Sequence, residues 1–213
     1  MDGVISMEDA RALVGDAKLW PRVRNFLWDF APQVHESWLE PNQLSLRDSP
    51  RVKRYILDSL GVEPCFHAFP KEDGSRILLL DGATLESAAK WLGALACAES
   101  LRRVTSGDVV RKLKSKLRGI YPDVFGYTAY FNVAAKNAET AKTPEEILAI
   151  GFKILFSQFA DLPKSLVARL KFKLPKSLCE LCVLCGKEEC AVSRSAVLKL
   201  FKLKFPEAYK LCC

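Results

Sequence analysis

"TLESAAKWLGALACAESLRRV", residues 84–104, spreads its apolar residues so far round a helical circumference that little polar face remains. A helix of that composition has to be buried, so the stretch predicts a core helix at the centre of a mainly α fold. The segments on either side keep the same 3.6-residue period. "MEDARALVGD" reads as a short helix ended near Gly15, and "AKLWPRVRNFLWDF" sets Trp20, Val23, Leu27 and Phe30 on one stripe until Pro32 breaks it. In "DSPRVKRYILDSLG", Ser49 is a candidate N-cap, Pro50 takes the first helical position and Gly61 lies past the end. Downstream, Ser106 caps "GDVVRKLKSKLRG", which closes at Gly119. Thr143-Pro144-Glu145-Glu146 forms a capping box that starts a helix reaching about Ala160. "LPKSL" occurs at 162–166 and again at 174–178, and two copies read as two helix starts rather than a repeat architecture. "SRSAVLKLFKLKF" is a last amphipathic helix bounded by Pro206.

Two stretches depart from this pattern. "CFHAFPKEDGSRILLLD", residues 65–81, offers two short apolar runs around a Lys-Glu-Asp-Gly turn and predicts a small β-hairpin. "FNVAAKNAETAKT", residues 131–143, is rich in Ala, Asn, Lys and Thr and packs poorly. The expectation is therefore a compact, mainly α protein of one domain over residues 1–213, with one β-hairpin near 65–81 and a candidate division into two lobes near 131–143.

Composition narrows the class. At 213 residues and 49% hydrophobic, the chain can bury a real core. "MDGVISMEDARALVGDA" has no basic start and is interrupted by acids, unlike a signal peptide, and "ILAIGFKILFSQFA" (147–160) is too short for a membrane span and carries Lys153. A cytoplasmic protein is expected. Charge is unevenly spread: residues 1–100 hold 11 Lys/Arg against 15 Asp/Glu, and residues 101–213 hold 21 against 10. A basic half attracts nucleic acid, an anionic membrane or an acidic protein, and charge alone does not choose among them.

Eight cysteines occur: Cys65, Cys97, Cys179, Cys182, Cys185, Cys190, Cys212 and Cys213. A reducing compartment argues against a disulfide framework and leaves metal, catalysis or packing. On a continuous helix Cys179 and Cys185 are separated by about 9 Å of rise. A tetrahedral zinc, with Zn–S bonds of about 2.3 Å, holds its sulfurs within about 4 Å of one another. Leu178, Leu181, Val183 and Leu184 between them also differ from cluster-binding loops. The expectation is packing sulfur in a helix. A zinc module in which the Cys179–Cys190 cluster is completed by Cys212 or Cys213 is the competing reading.

No catalytic constellation stands out. His35 and His67 are the only histidines; Cys65 and His67 could share a strand face as nucleophile and base, but no neighbouring acid or oxyanion feature supports them. A nucleophile elbow and a phosphate loop are both absent. The densest basic segment, "LRRVTSGDVVRKLKSKLRG" (101–119), carries Arg102, Arg103, Arg111, Lys112, Lys114, Lys116 and Arg118. Its Val109, Val110, Leu113, Leu117 and Ile120 share one arc and the cations take the rest. Nucleic-acid binding would call for interleaved exposed aromatics or a recognised motif, so an acidic protein surface is the better partner, with nucleic acid kept as an alternative.

The succession "HESWL" (35–39), "RILLLDGATLESAAKWLGAL" (76–95), "LRRVTSGDVVRKLKSKLRG" (101–119) and "GFKILFSQFADLPKSLVARLKFKLP" (151–175) resembles the SctK family, also called YscK, of bacterial type III secretion accessory proteins. These are packing motifs rather than catalytic ones. The resemblance implies a mostly helical, non-enzymatic, cofactor-free adaptor of the cytoplasmic sorting platform. It would tie the SctQ-type pod protein to the cytoplasmic domain of the SctD-type inner-membrane ring, peripheral to that membrane through its partners. The seven cations above are the partner-binding residues nominated, and the cysteine-rich "LCELCVLCGKEEC" lies outside the shared motifs.

Overall fold

The computed structural model describes residues 6–62, 66–70, 74–131, 143–177 and 192–212. These residues are mainly helical, with no strand among them. The chain separates into two compact units: residues 1–82, 161–179 and 210–213 in the first, 83–160 and 180–209 in the second. The loop expected to divide two lobes falls almost wholly on residues 132–142, outside the described residues.

The first unit begins with α1 (Met7–Val14), whose Ser6 side chain accepts the Asp9 amide at 3.1 Å and whose C-cap Gly15 takes the left-handed conformation at φ 65°. In α2 (Trp20–Leu27) three of the four residues of the predicted stripe are buried, Val23 and Leu27 in the helix and Phe30 beyond its end, whereas Trp20 is half-buried and Phe26, outside that stripe, is buried. Phe26 stacks edge-on against Phe30 at 5.6 Å and Phe69 at 5.8 Å, a geometry aromatic quadrupoles favour. α3 (Pro41–Leu46) and α4 (Pro50–Ser59) follow, α4 opening at Pro50 and ending before Gly61. α9 (Lys164–Phe172) starts after Pro163 of the first "LPKSL". Of the second copy, Leu174, Pro175, Lys176 and Ser177 are described, the last two helical, and Leu178 lies outside the described residues.

"HESWL" and "KFKLP" prove to be one construction. Residues Glu36–Trp38 form a single 3-10 turn capped by His35, whose Nδ1 accepts the Ser37 amide at 3.2 Å. The His35 amide donates to the Phe172 carbonyl at 2.7 Å, and Trp38 Nε1 donates to the Leu174 carbonyl at 2.7 Å. Ser37 Oγ accepts the Lys176 amide at 2.8 Å, and the Trp38 ring meets Phe172 edge-on at 5.0 Å. The His35 amide thus satisfies the last carbonyl of α9, which an isolated helix would leave without a partner, and the Trp38 and Ser37 bonds fix the chain just past that end.

The predicted β-hairpin does not form in the described part of 65–81. Its second arm is a 3-10 helix, Ser75–Leu79, entered through Gly74 at φ 67° and buried along its whole length. A hairpin arm alternates inward and outward faces, whereas Ile77, Leu78, Leu79 and Leu80 are all within 5% of full burial. The carbonyls a strand partner would take are occupied by Lys173, whose Nζ donates to Leu78 at 2.7 Å and Leu80 at 2.8 Å. This lysine is 3% exposed and lies 4.7 Å from the centre of the Phe26 ring.

In the second unit the stretch 84–104 makes two helices, α5 (Gly82–Ala96) and α6 (Ala98–Arg102), broken at Cys97. α7 (Gly107–Lys116) begins after Ser106, as expected from the sequence, although no side-chain cap bond is made there. α8 (Pro144–Ser157) has the predicted capping box in full: Thr143 Oγ accepts the Glu146 amide at 3.2 Å and the Glu146 carboxylate accepts the Thr143 amide at 3.0 Å. α5 and α8 cross at Gly93 and Gly151. A Cβ on Gly93 would fall far inside van der Waals contact with the Ile147 carbonyl, and one on Gly151 would do the same at the Ala89 carbonyl. Only hydrogen at both positions lets the two backbones touch.

α10 (Arg194–Lys204) is capped by Ser193 and buries Val197, Leu200 and Phe201. Its Lys204 ammonium sits over Trp91 at 4.1 Å and Tyr127 at 3.9 Å. α10 ends at Lys204, ahead of Pro206 as expected, but it is not the last helix: Pro206 also opens α11 (Pro206–Cys212), because proline is as suited to a first turn as to a stop. Among the described residues, no helix is long and apolar enough to cross a membrane.

Candidate functional site

The basic segment folds as read. Leu113, Leu117 and Ile120 are buried and anchor α7, while all seven nominated cations are exposed. Their environments differ in a way that decides which of them are free to act. Glu99 on α6 receives both Arg102 at 3.4 Å and Arg103 at 3.3 Å. Arg102 also donates to Thr128 Oγ at 3.0 Å and lies 5.6 Å from the Phe125 ring centre. Arg111 pairs with Asp108. The side chains of Lys112, Lys114, Lys116 and Arg118 have neither a hydrogen bond nor an ion pair among the described residues.

Four positive charges within seven residues, three on α7 and Arg118 just past its end, without an ion-pair partner among the described residues and above the buried Leu113, Leu117 and Ile120, make an electropositive ridge. Exposed ion pairs such as those of Arg102, Arg103 and Arg111 already spend much of their field on a neighbour, so the uncompensated four contribute most to long-range attraction. The distinction was readable in the spacing: Glu99 stands three and four residues before Arg102 and Arg103, and Asp108 three before Arg111, the separations at which helical side chains meet.

The other candidates separate. His35 is a capping residue, and the His67 ring packs edge-on against Phe69 at 5.0 Å. Cys65, the candidate nucleophile beside His67, and the Cys179–Cys190 cluster lie outside the described residues, as does Cys213. Among the described residues no three His, Cys, Asp or Glu side chains gather as a metal site.

Cys97 is fully buried at the break between α5 and α6. Burial, with the Glu146 carboxylate nearby, pushes its thiol up to about 12. Since the thiolate is the reacting form, iodoacetamide at pH 8 should leave Cys97 unlabelled in the native protein and label it in urea. Peptide mass mapping reads this, and native labelling at the unfolded rate would contradict the packing described here.

The residue that sequence reading missed is Lys173. Its signal was its place on the buried stripe of α9, three residues after Leu170 and next to Leu174, both buried. Desolvation lowers its pKa from 10.5 to about 7, with the Asp81 carboxylate opposing that fall and Arg22 adding to it.

A family model described as YOP proteins translocation protein K (YscK) matches residues 24–212. Neither a curated protein nor a solved structure matches the chain.

Proposed function

This chain belongs to the YscK family of type III secretion proteins, and on that premise we propose that it is a non-enzymatic adaptor of the secretion sorting platform. It bridges the SctQ-type pod protein and the cytoplasmic domain of the SctD-type inner-membrane ring, working at the cytoplasmic face of that membrane through its partners. The observation that carries the reading is the family match over most of the chain, within which lie "HESWL", "RILLL", the basic segment and "KFKLP". Three of these four motifs supply packing and capping contacts. The fourth, 101–119, buries Leu113 and Leu117 of its apolar arc, half-buries Val109 and Val110, and leaves its cations outside.

An adaptor needs surfaces rather than a reaction centre, and the segment from Arg102 to Arg118 is the surface we assign to an acidic partner. Within it Lys112, Lys114, Lys116 and Arg118 supply most of the attraction; Arg102, Arg103 and Arg111 shape its edges. Reversing Arg111, Lys114 and Arg118 to Glu should weaken co-purification of at least one partner by about tenfold or more, with the largest share from the two residues that lack ion pairs. Reversing Arg103 alone should change little. Unaltered recovery of both partners would remove the segment from the interface.

A further inference from the structure

The first unit carries an open cleft of about 400 Å³, a volume in the range of ligand sites. Arg22 and Asn25 of α2, Gln33 of the following turn, Asp81 ahead of α5 and Lys173 at the end of α9 supply its polar lining. Two cations therefore face one carboxylate.

Arg22 is exposed and its side chain makes no hydrogen bond or ion pair among the described residues, while its charge bears on the Lys173 ammonium. Lys173 gives two of its three protons to the Leu78 and Leu80 carbonyls, so a third remains. Asp81 offsets one of the two cations and weighs more on Lys173 than Arg22 does, so with the amine protonated the cleft keeps one net positive charge that a second anion neutralises. A carboxylate would accept a paired grip from the guanidinium and a third bond from the ammonium, with the Asn25 and Gln33 carboxamides beside it as further donors. The arginine, the asparagine and Asp81 all lie at the exposed rim, so the site is reached by a group projecting from a surface and has no enclosed chamber to surround a small molecule.

We propose that this cleft is a second docking site, which takes the carboxylate of an acidic side chain projecting from a partner protein and holds it between Arg22 and Lys173. The proposal rests on the adaptor reading for the existence of a partner and is independent of the α7 surface. Binding at this site favours the protonated amine, so affinity should rise as pH falls from about 8 to about 6. The groups facing that amine are Arg22 from α2, Asp81 ahead of α5 and the Phe26 ring.

The test uses the full chain and a capped pentapeptide with one central glutamate flanked by alanines, titrated by nuclear magnetic resonance. The expected result is saturable shifts at the amides of Arg22, Gly82 and Lys173, at least tenfold weaker for the glutamine twin of the peptide and for the Arg22→Gln protein. Arg22→Lys should restore part of the affinity, and reversal of Lys114 and Arg118 to Glu should leave it within twofold, which keeps this site distinct from the α7 surface. Absence of saturable shifts, equal binding of the glutamine twin, full affinity in Arg22→Gln, or equally tight binding of free glutarate would each overturn the proposal.

Discussion

Alanine at Gly93 or at Gly151 is expected to cost on the order of 4 kcal/mol or to abolish folding, well above the ~1–3 kcal/mol of ordinary overpacking. The reason lies in what the new methyl group would meet. At both positions the obstructing atoms are backbone: Ile147 O and the Gly151 amide for Gly93, Ala89 O and the Gly93 amide for Gly151. A flexible side chain can swing aside, whereas these groups belong to two helices that would have to part along their whole contact. Alanine is favoured over glycine within a helix by about 1 kcal/mol, so helix propensity alone predicts the opposite sign. Gly107, the first residue of α7, has open space around its Cβ direction and serves as the control: Gly107→Ala should be neutral or slightly stabilising. Urea unfolding followed by circular dichroism compares the three, and an unchanged midpoint for either Gly93→Ala or Gly151→Ala would refute the backbone crossing.

The second large effect is a dependence of stability on pH. Lys173 has a pKa of about 7 in the folded protein against 10.5 for an ordinary lysine, so between those values the unfolded chain binds the extra proton. Stability rises with pH wherever that holds, and the cost of burying the charged amine is fully present below pH 7. From pH 7 to pH 9 the gain is about 2–3 kcal/mol. Cys97 works in the other direction. Its folded pKa of about 12 lies above the ordinary 9.0, so above pH 9 the unfolded chain loses the proton that the folded one keeps, and stability falls. The two slopes cancel midway between 9.0 and 10.5, so a maximum just below pH 10 follows from the pair. Lys173→Met should flatten the rise between pH 7 and 9, and at pH 9 it should be less stable by roughly 2 kcal/mol or more because the Leu78 and Leu80 carbonyls lose their donor. A flat profile for the parent protein across that interval would show that the ammonium is hydrated.

Both effects spring from features that a single sequence displays only in part. The helix ends were legible because each is written locally: Gly15 and Gly61 past a last turn, Pro50 at a first one, and the reciprocal Thr143 and Glu146 bonds. The basic face of α7 was legible for the same reason, its apolar arc and its cations lying within one 13-residue run. "RILLL" was misread because its conformation is set from almost a hundred residues downstream, by the amine of Lys173. A short apolar run fits a strand or a buried helical turn equally well, and the deciding hydrogen-bond partner is remote. Gly93 and Gly151 sit within strongly apolar helices, where a glycine marks a possible close approach without naming what approaches. The cleft needs α2, the start of α5 and the end of α9 together, and no local pattern announces it.

The alternation of the chain between its two units, with changeovers at residues 82/83, 160/161, 179/180 and 209/210, bears on how the protein is made. Trp38 leaves the ribosome early but finds the Leu174 carbonyl only after another 136 residues have been synthesised. The amino-terminal unit therefore cannot close by itself while translation proceeds, and no single cut separates two self-sufficient halves. Such long-range closure slows folding and ties it to complete synthesis. A chain that stops before Lys173 lacks the Arg22–Lys173 cleft altogether, so that surface exists only once most of the polypeptide has been made.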